Sequence, residues 1–281
     1  MIQTICVCGA GTMGNGIAQL CAQAGFHTLL YDIAPIVLQQ GKATIEKNLA
    51  SLESKNKITA LQKTTSISLL HYISEINDCI ADIFIEAIVE KVTIKIGLLN
   101  QLAEVNHSEV IFATNTSSLS VSTIAAGVMH PSRVVGMHFF NPAPLMKLVE
   151  VVKAPQTKKE VLDTVISLAK QLGKIPVVCK DAPGFIVNHV ARPYYLEALK
   201  LVEEGVTTIE TIDQLMEASG FKMGPFKLMD LIGNDINYAV SCSVYEQMGN
   251  PLRLKPSLIQ QQKVTNGELG KKTGKGYYLY K

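Results

Sequence analysis

Short runs of strongly apolar residues alternate with longer amphipathic stretches over the first two thirds of the chain. Seven of these runs are rich in β-branched residues and have the length of single strands. They cover residues 4–8, 27–31, 80–86, 110–114, 133–138, 148–152 and 176–179. Because they alternate with helical patterns, they predict βαβ units and a mostly parallel sheet.

Two stretches depart from this alternation. Residues 35–79 are too long for one crossover helix and contain two helical patterns around Lys55, Asn56 and Lys57, which predicts a helical hairpin. After a Pro183-Gly184 break, residues 185–262 show helical periodicity with almost no strand signal. We therefore predict two domains, residues 1–183 and residues 184–281, with a strand-like aromatic run near the end of the second.

A glycine-rich turn follows the first strand run and opens a helical stretch. Its residues are Gly9, Ala10, Gly11, Thr12, Met13 and Gly14. In this context Gly9 permits a tight turn, Gly11 lets the backbone approach a pyrophosphate, and Gly14 lets the helix pack against the strand. The helix N-terminus offers N–H groups to phosphates. We predict a dinucleotide site that uses Gly9, Gly11, Thr12, Met13 and Gly14.

The charge at the end of the second strand run indicates which dinucleotide binds. A helical stretch over residues 15–24 leads into that run, and Asp32 follows it. A carboxylate at this spacing accepts hydrogen bonds from the adenosine ribose. A 2′-phosphate would meet its negative charge, and no arginine is near Asp32 in the sequence. The pattern therefore favours NAD over NADP.

The composition excludes several classes of protein. With 47% hydrophobic and 18% charged residues, the chain resembles ordinary globular proteins. A net charge of +2 does not indicate nucleic acid or an anionic membrane as a partner. We find neither a secretory signal nor an apolar run near the ~18 residues of a membrane span. The six cysteines contain no C-x-x-C pair, so we expect reduced thiols, no metal site and a cytoplasmic protein.

Polar segments follow the fourth and fifth strand runs, where open α/β sheets bind their ligands. One begins at Asn115 and the other at His138. Oxidation of an alcohol requires a base, and histidine suits this role because its ordinary pKa is near neutrality. Glu150 is a lone acid in the next apolar run and could orient His138, as a triad aspartate does. The alternative is that Glu150 faces water on an edge strand.

The segments that begin at Asn115, His138, Lys147 and Asp181 resemble the signature of the 3-hydroxyacyl-CoA dehydrogenase family. Its short bacterial members are usually called 3-hydroxybutyryl-CoA dehydrogenases. The resemblance covers essentially the whole chain, including the lysine-rich block from Gly270. It implies an N-terminal Rossmann domain with an inserted helical hairpin, followed by a smaller all-α C-terminal domain. It also implies NAD-dependent, reversible oxidation of an (S)-3-hydroxyacyl-CoA, with 3-hydroxybutyryl-CoA expected.

The resemblance assigns roles to individual residues. His138 corresponds to the base, Glu150 to the glutamate paired with it, and Ser117 to the serine that binds the substrate oxygen. Asn188 corresponds to an asparagine that reaches in from the start of the C-terminal domain. We therefore expect the active site in a cleft between the domains. The cofactor contacts would fall on Glu90, Lys95, Asn115, Ser117, Asn141 and Lys272. The CoA contacts would fall on Asn48, Lys55 and Ser117.

The charges of the predicted hairpin agree with a phosphate-bearing substrate. Five lysines lie in it, although charged faces are also usual on exposed helices. These are Lys42, Lys47, Lys55, Lys57 and Lys63. The chain departs from the common family pattern at His189, where arginine is frequent, and at Thr114, where serine is frequent. Neither position is catalytic in the family.

Two other functions are compatible with the dinucleotide motif. A dehydrogenase of free hydroxy acids or sugar acids would require an arginine or a similar clamp for a carboxylate. Arg133 and Arg192 are the only arginines near the motifs, and no clamp is evident, whereas the lysines of the hairpin favour CoA. A non-catalytic Rossmann protein would not require His138 or Glu150. We therefore favour the acyl-CoA substrate.

Apolar positions in the C-terminal helical region allow a further prediction. They include Met216, Leu228, Met229, Leu231, Ile232 and Val240. Such helices form either a domain core or a subunit interface. Since relatives are dimers through this domain, we expect a homodimer.

Overall fold

The computed structural model of the protein describes residues 2–280. The chain forms two compact units, divided between Asp181 and Ala182. The predicted domain boundary, after residue 183, lies two residues further along the chain.

The N-terminal unit is built on an eight-stranded sheet. The strands are β1 (Thr4–Cys8), β2 (His27–Tyr31), β3 (Leu70–Ile73), β4 (Ile83–Glu86), β5 (Ile111–Thr114), β6 (Val134–Phe139), β7 (Leu148–Lys153) and β8 (Ile175–Lys180). Their order across the sheet is β3-β2-β1-β4-β5-β6-β7-β8. The first six strands in this order are parallel, β7 is antiparallel to β6, and β8 is parallel to β7. This confirms the predicted Rossmann fold, whose parallel strands have the order 3-2-1-4-5-6.

Six helices accompany the sheet. They are α1 (Thr12–Gln23), α2 (Pro35–Ser54), α3 (Ala60–Ser68), α4 (Val92–Val105), α5 (Val121–Gly127) and α6 (Lys159–Gln171). Helices α2 and α3 form the predicted helical hairpin. Thr59 begins α3 with a capping box, in which it and Gln62 each accept a hydrogen bond from the other's backbone N–H. Helix α1 begins at Thr12, three residues earlier than the sequence pattern predicts.

The core of this unit lies between the sheet and its helices. Ile5, Val7, Ile83 and Ile85 on the central strands are fully buried and belong to one apolar cluster with Ile17 of α1. Full burial of such a side chain contributes about 1.5–3 kcal/mol each. Because helices cover both faces of a parallel sheet, its strands appear in the sequence as continuous apolar runs.

Strand β3 is absent from the sequence prediction. It is only four residues long and begins two residues after α3 ends. Leu70 is buried but His71 is exposed, as suits an edge strand next to β2. The sequence pattern predicts a strand from residue 80, but β4 begins only at Ile83, and Ile80 is exposed. Tertiary pairing rather than local pattern determines both boundaries.

The C-terminal unit is helical, as predicted. Its helices are α7 (Val187–Glu203), α8 (Ile209–Ala218), α9 (Pro225–Ile232), α10 (Asn234–Gln247) and α11 (Leu258–Thr265). Leu199, Phe226 and Met229 are fully buried in its core. The expected strand-like run near the end forms only isolated bridges, Gly270 to Lys275 and Lys275 to Leu279.

Asp230 anchors this terminal segment to α9. The buried carboxylate accepts hydrogen bonds from the backbone N–H groups of Tyr277 (2.9 Å) and Tyr278 (3.0 Å). The Tyr280 hydroxyl and the Asn234 side-chain amide also donate to it, each at 2.9 Å. One charged group therefore satisfies four donors and connects the end of the chain to the helical core.

The six cysteines all lie in the part of the chain that the structure describes. All six are free, and Cys179 and Cys242 are the only two that are partly exposed. Burial raises the pKa of Cys21 to about 12 and that of Cys179 to about 11, so both are thiols at neutral pH. Within residues 2–280, the structure contains no helix with the length and apolar character needed to cross a membrane.

We expect Asp230→Asn to destabilise the protein by about 3 kcal/mol, because it removes charge-assisted hydrogen bonds to several buried donors. Urea unfolding followed by circular dichroism measures this. Asp163→Asn on the exposed face of α6 is the control and should leave the midpoint unchanged. An unchanged midpoint for Asp230→Asn would show that the terminal segment is held by other contacts.

Candidate active site

The glycine-rich turn has the geometry of a phosphate cradle. Gly9 has a φ of 99° and donates its N–H to Tyr31 O at 2.7 Å. A Cβ on Gly14 would lie 1.7 Å from Gly9 O, so no other residue fits there. A Cβ on Gly11 would meet no atom within 4 Å, and no side chain caps the N-terminus of α1. The N–H groups of α1 therefore face a space into which a pyrophosphate fits.

Asp32 lies beside this turn. Its Oδ2 accepts a hydrogen bond from Ala10 N at 2.8 Å, and its Oδ1 accepts one from Ala34 N at 3.0 Å. These bonds fix the carboxylate at the carboxyl end of β2, where the family pattern places the ribose. The one arginine of the N-terminal unit, Arg133, forms an ion pair with Glu109 (3.0 Å). These residues fit NAD, whose ribose hydroxyls can donate to Asp32.

His138 and Glu150 form a buried pair across two strands. The antiparallel register of β6 and β7 places them directly opposite each other. The His138 Nδ1–H donates to Glu150 Oε2 at 2.7 Å, and the two side chains are 6% and 1% exposed. The carboxylate thereby keeps the proton of the neutral ring on Nδ1 and its lone pair on Nε2. The alternative of an edge-strand glutamate facing water is wrong, because Glu150 is buried in the sheet.

The segment after β5 lies beside this pair and is held at both ends. Asn115 Oδ1 accepts a hydrogen bond from Phe139 N at 2.8 Å. Ser117 N donates to Glu90 Oε1 at 3.0 Å, and Glu90 is paired with Lys95 at 3.1 Å. The structure thus brings together predicted site residues from the segment after β4, from α4 and from the segment after β5. Their contacts with NAD stay predictions.

A cavity of about 660 Å³ begins at the glycine-rich turn and extends along α2. Five of the predicted site residues line it, namely Gly11, Thr12, Asn48, Lys55 and Asn141. Asn48 is held in place by Gln19, whose Oε1 accepts its side-chain N–H at 3.3 Å. The cavity therefore joins the cofactor turn to two of the three predicted CoA contacts, Asn48 and Lys55, within one unit.

The other lysines of the hairpin do not line this cavity. Lys63 is paired with Glu53 at 2.6 Å, and the Lys42 ammonium lies 5.7 Å from the ring centroid of Tyr72. Lys55 is thus the one hairpin lysine that the described structure places at the cavity.

Two predicted site residues belong to the C-terminal unit. Asn188 is the second residue of α7. The Lys272 ammonium is paired with both carboxylate oxygens of Asp235, at 2.6 and 2.7 Å. His189, which replaces the arginine common in the family, donates from Nδ1 to Pro183 O at 2.9 Å. The roles of Asn188 and Lys272 stay predictions.

Glu86 is a site-adjacent residue that the sequence interpretation overlooked. It ends β4, is fully buried and binds Lys95 at 2.6 Å. The sequence contains a sign of its role, because Glu86 is a lone acid at the end of an apolar run. Glu150 is likewise a lone acid within an apolar run. No group of three metal-ligating side chains occurs in the described residues.

The doubly wound sheet, the phosphate cradle and the buried histidine–glutamate pair together define an NAD-binding dehydrogenase. The model of the 3-hydroxyacyl-CoA dehydrogenase NAD-binding domain matches residues 4–182, and that of the 3-hydroxyacyl-CoA dehydrogenase C-terminal domain matches residues 184–280. The chain therefore belongs to the 3-hydroxyacyl-CoA dehydrogenase family, as its sequence predicts, and is an NAD-dependent oxidoreductase.

The similarity to individual relatives extends over essentially the whole chain. It is 46% identical to the 3-hydroxyadipyl-CoA dehydrogenase of Escherichia coli over 99% of its own length and 59% of that protein. It is 40% identical to a probable 3-hydroxybutyryl-CoA dehydrogenase of Deinococcus radiodurans, over 98% and 99% of the two chains. The crystal structure of the (S)-3-hydroxybutyryl-CoA dehydrogenase of Ralstonia eutropha superposes with a TM-score of 0.95 at 38% identity, over all of both chains.

We expect Asp32→Ser to raise the KM for NADH about 10- to 100-fold, because it removes a charged acceptor for the ribose. The preference for NADH over NADPH should fall at the same time, since the repulsion of a 2′-phosphate is lost. Initial rates with both cofactors measure the ratio. An unchanged ratio would show that Asp32 does not select the cofactor.

Glu150→Gln is expected to lower kcat about 100-fold or more, since the amide cannot stabilise a positively charged His138 ring. NADH binding, followed by fluorescence titration, should be retained. If kcat stays within twofold of wild type, Glu150 does not assist His138 in catalysis.

Proposed function

We propose that the protein reversibly oxidises an (S)-3-hydroxyacyl-CoA to the 3-oxoacyl-CoA, with 3-hydroxybutyryl-CoA as the expected substrate. The observation that carries this proposal is the 2.7 Å hydrogen bond between His138 and Glu150 at the carboxyl end of β6. It supplies an oriented base next to the Asn115–Ser118 segment, at the edge of the sheet where the cofactor turn also lies.

In the oxidation, His138 Nε2 accepts the proton of the 3-hydroxyl group. Bound NAD supplies the acceptor for the hydride that leaves C3, so that the substrate loses two electrons and two hydrogens. Glu150 stabilises the resulting imidazolium. In the reducing direction the protonated His138 returns its proton to the oxygen.

Ser117 is proposed to orient the substrate oxygen by a hydrogen bond, and Asn188 of the C-terminal unit to do the same. Such groups act by holding the reacting atoms in a productive geometry. Asn48 and Lys55 line the cavity beside the cofactor turn and are proposed to bind the CoA portion.

The test is the oxidation of NADH, followed by its absorbance, with 3-oxoacyl-CoA substrates of increasing length, beginning with acetoacetyl-CoA. 3-Oxoadipyl-CoA belongs in the series, because a relative that is 46% identical is named for the corresponding hydroxy compound. We expect the highest kcat/KM with acetoacetyl-CoA and much lower activity with NADPH. Turnover of free hydroxy acids or sugar acids, with none of any CoA thioester, would contradict the proposal.

His138→Ala is expected to lower kcat in this assay by a factor of about 10²–10⁴, the usual contribution of a general base. NADH binding should remain. His130→Ala, outside the site, is the matched control. Full activity of His138→Ala would exclude His138 as the base.

We also propose that the protein is a homodimer through its C-terminal unit. Met229 and Val240 are buried in that unit itself, so packing within the chain accounts for them. Leu231, by contrast, is 51% exposed, and Leu215 is 62% exposed beside an apolar groove of about 390 Å³. Exposed apolar surface of this kind is typical of subunit interfaces.

Sedimentation equilibrium should give twice the mass of the chain, and Leu215→Asp should shift the protein toward the monomer. A monomer at micromolar concentration would contradict the dimer.

The six free cysteines, four of them buried, support the further proposal of a cytoplasmic, reducing location.

A further inference from the structure

Glu86 is a fully buried carboxylate at the end of β4, outside the set of site residues that the sequence predicts. Its Oε1 accepts hydrogen bonds from Lys95 Nζ at 2.6 Å and from Ile88 N at 2.8 Å. Its Oε2 accepts one from the Thr114 hydroxyl at 2.7 Å. A buried carboxylate with this many fixed donors has one geometry, so it is a rigid point in the sheet.

Lys95 links Glu86 to Glu90. It projects from α4, is 1% exposed, and its ammonium has three donors. The acceptors within reach are Glu86 Oε1, Glu90 Oε2 at 3.1 Å and Ile88 O at 3.5 Å. Since the shortest contact is the one to Glu86, the buried carboxylate fixes where the ammonium lies.

Glu90 links Lys95 to the segment after β5. Its Oε1 accepts from Ser117 N at 3.0 Å and from the Thr116 hydroxyl. The Thr116 hydroxyl oxygen in turn accepts from Leu119 N at 2.9 Å. The backbone that carries Ser117 is therefore connected, through Glu90 and Lys95, to the fully buried Glu86.

Glu86 also acts on the start of the same segment. The Glu86 backbone carbonyl accepts a hydrogen bond from Asn115 N at 2.8 Å. The Glu86 side chain accepts one from the hydroxyl of Thr114, the residue just before Asn115. The two contacts hold the end of β5 against the end of β4. The segment is thus fixed by Glu86 at its origin and, through the ion pairs, at Ser117.

We propose that Glu86 is a positioning residue for the dehydrogenase reaction, which places the Ser117 backbone through the Glu86–Lys95–Glu90 ion network. Glu86 and Lys95 are buried in this network, and the Glu90 side chain is 37% exposed. The carboxylate oxygens of Glu86 are occupied by Lys95, Ile88 N and the Thr114 hydroxyl, so Glu86 acts through other residues. The inference rests on the proposed role of Ser117 in orienting the substrate. It predicts that loss of the Glu86 charge displaces Ser117 while the fold persists.

The first test is Glu86→Gln in the full chain. The amide keeps the size of the side chain but removes the charge that fixes Lys95. We expect kcat with acetoacetyl-CoA to fall about 10- to 100-fold, the effect of a small misplacement of a binding group. The KM for NADH is expected to rise as well, because the displaced Lys95, Glu90 and Ser117 are predicted cofactor contacts. Hydrogen exchange at the Ser117 amide, which requires no turnover, should become at least tenfold faster.

A second variant separates positioning from stability. Glu86→Gln leaves Lys95 without its buried partner and is therefore destabilising, whereas Glu86→Gln with Lys95→Met leaves no unpaired buried charge. In the double variant we expect the thermal midpoint to recover while the Ser117 amide still exchanges rapidly. This also tests the proposal if the single variant fails to fold.

Asp213→Asn is the matched control, since Asp213 is an equally buried acid in the C-terminal unit that accepts from Phe226 N at 2.9 Å. It should lower the thermal midpoint without changing exchange at Ser117 or kcat. Recovery of normal Ser117 exchange together with stability in the double variant would overturn the proposal. A loss of kcat in Asp213→Asn as large as that in Glu86→Gln would also overturn the proposal. If wild type does not reduce acetoacetyl-CoA, the proposed function fails, and exchange at Ser117 still decides whether Glu86 positions this segment.

Discussion

A carboxylate that is buried in a sheet must be met by hydrogen-bond donors, and this requirement shapes the candidate active site. Glu150 is met by His138 because β7 runs antiparallel to β6 and brings the two residues opposite each other. Glu86 is met by Lys95 and Thr114 at the end of β4. The segment that carries Ser117 lies between these two fixed points. The reversed direction of a single strand thus gives the histidine its partner.

The sequence predicts much of this arrangement because its main determinants are local. The turn around Gly9 requires a positive φ, and Gly14 requires the absence of a side chain, so both are visible in the residue types. The buried strands are visible as apolar runs. Glu150 could be paired with His138 in advance, because a lone acid among apolar residues requires a partner. Asn48 and Lys55 are predicted as CoA contacts only from the family resemblance, because their residue types do not distinguish them from the other polar residues of the hairpin.

Other features depend on contacts between residues far apart in the chain. Strand β3 has only four residues, and its pairing with β2 creates it. The partners of Lys95 come from two segments that precede α4, so its charge appears in the sequence as an ordinary exposed lysine. The terminal aromatic run looks like a strand, yet the hydrogen bonds of Asp230 determine its path. In each case a tertiary contact overrides the local pattern.

The distribution of the thiols gives the molecule a native pair of labelling positions. Of its six cysteines only Cys179, on β8, and Cys242, on α10, are partly exposed, so there is one in each compact unit. Burial raises the pKa of Cys179 to about 11 and also raises that of Cys242, so we expect both thiols to react slowly with a maleimide at neutral pH and faster under alkaline conditions. A spin label or a dye at each position would report the distance between the two units, with and without NAD, and no residue would have to be replaced.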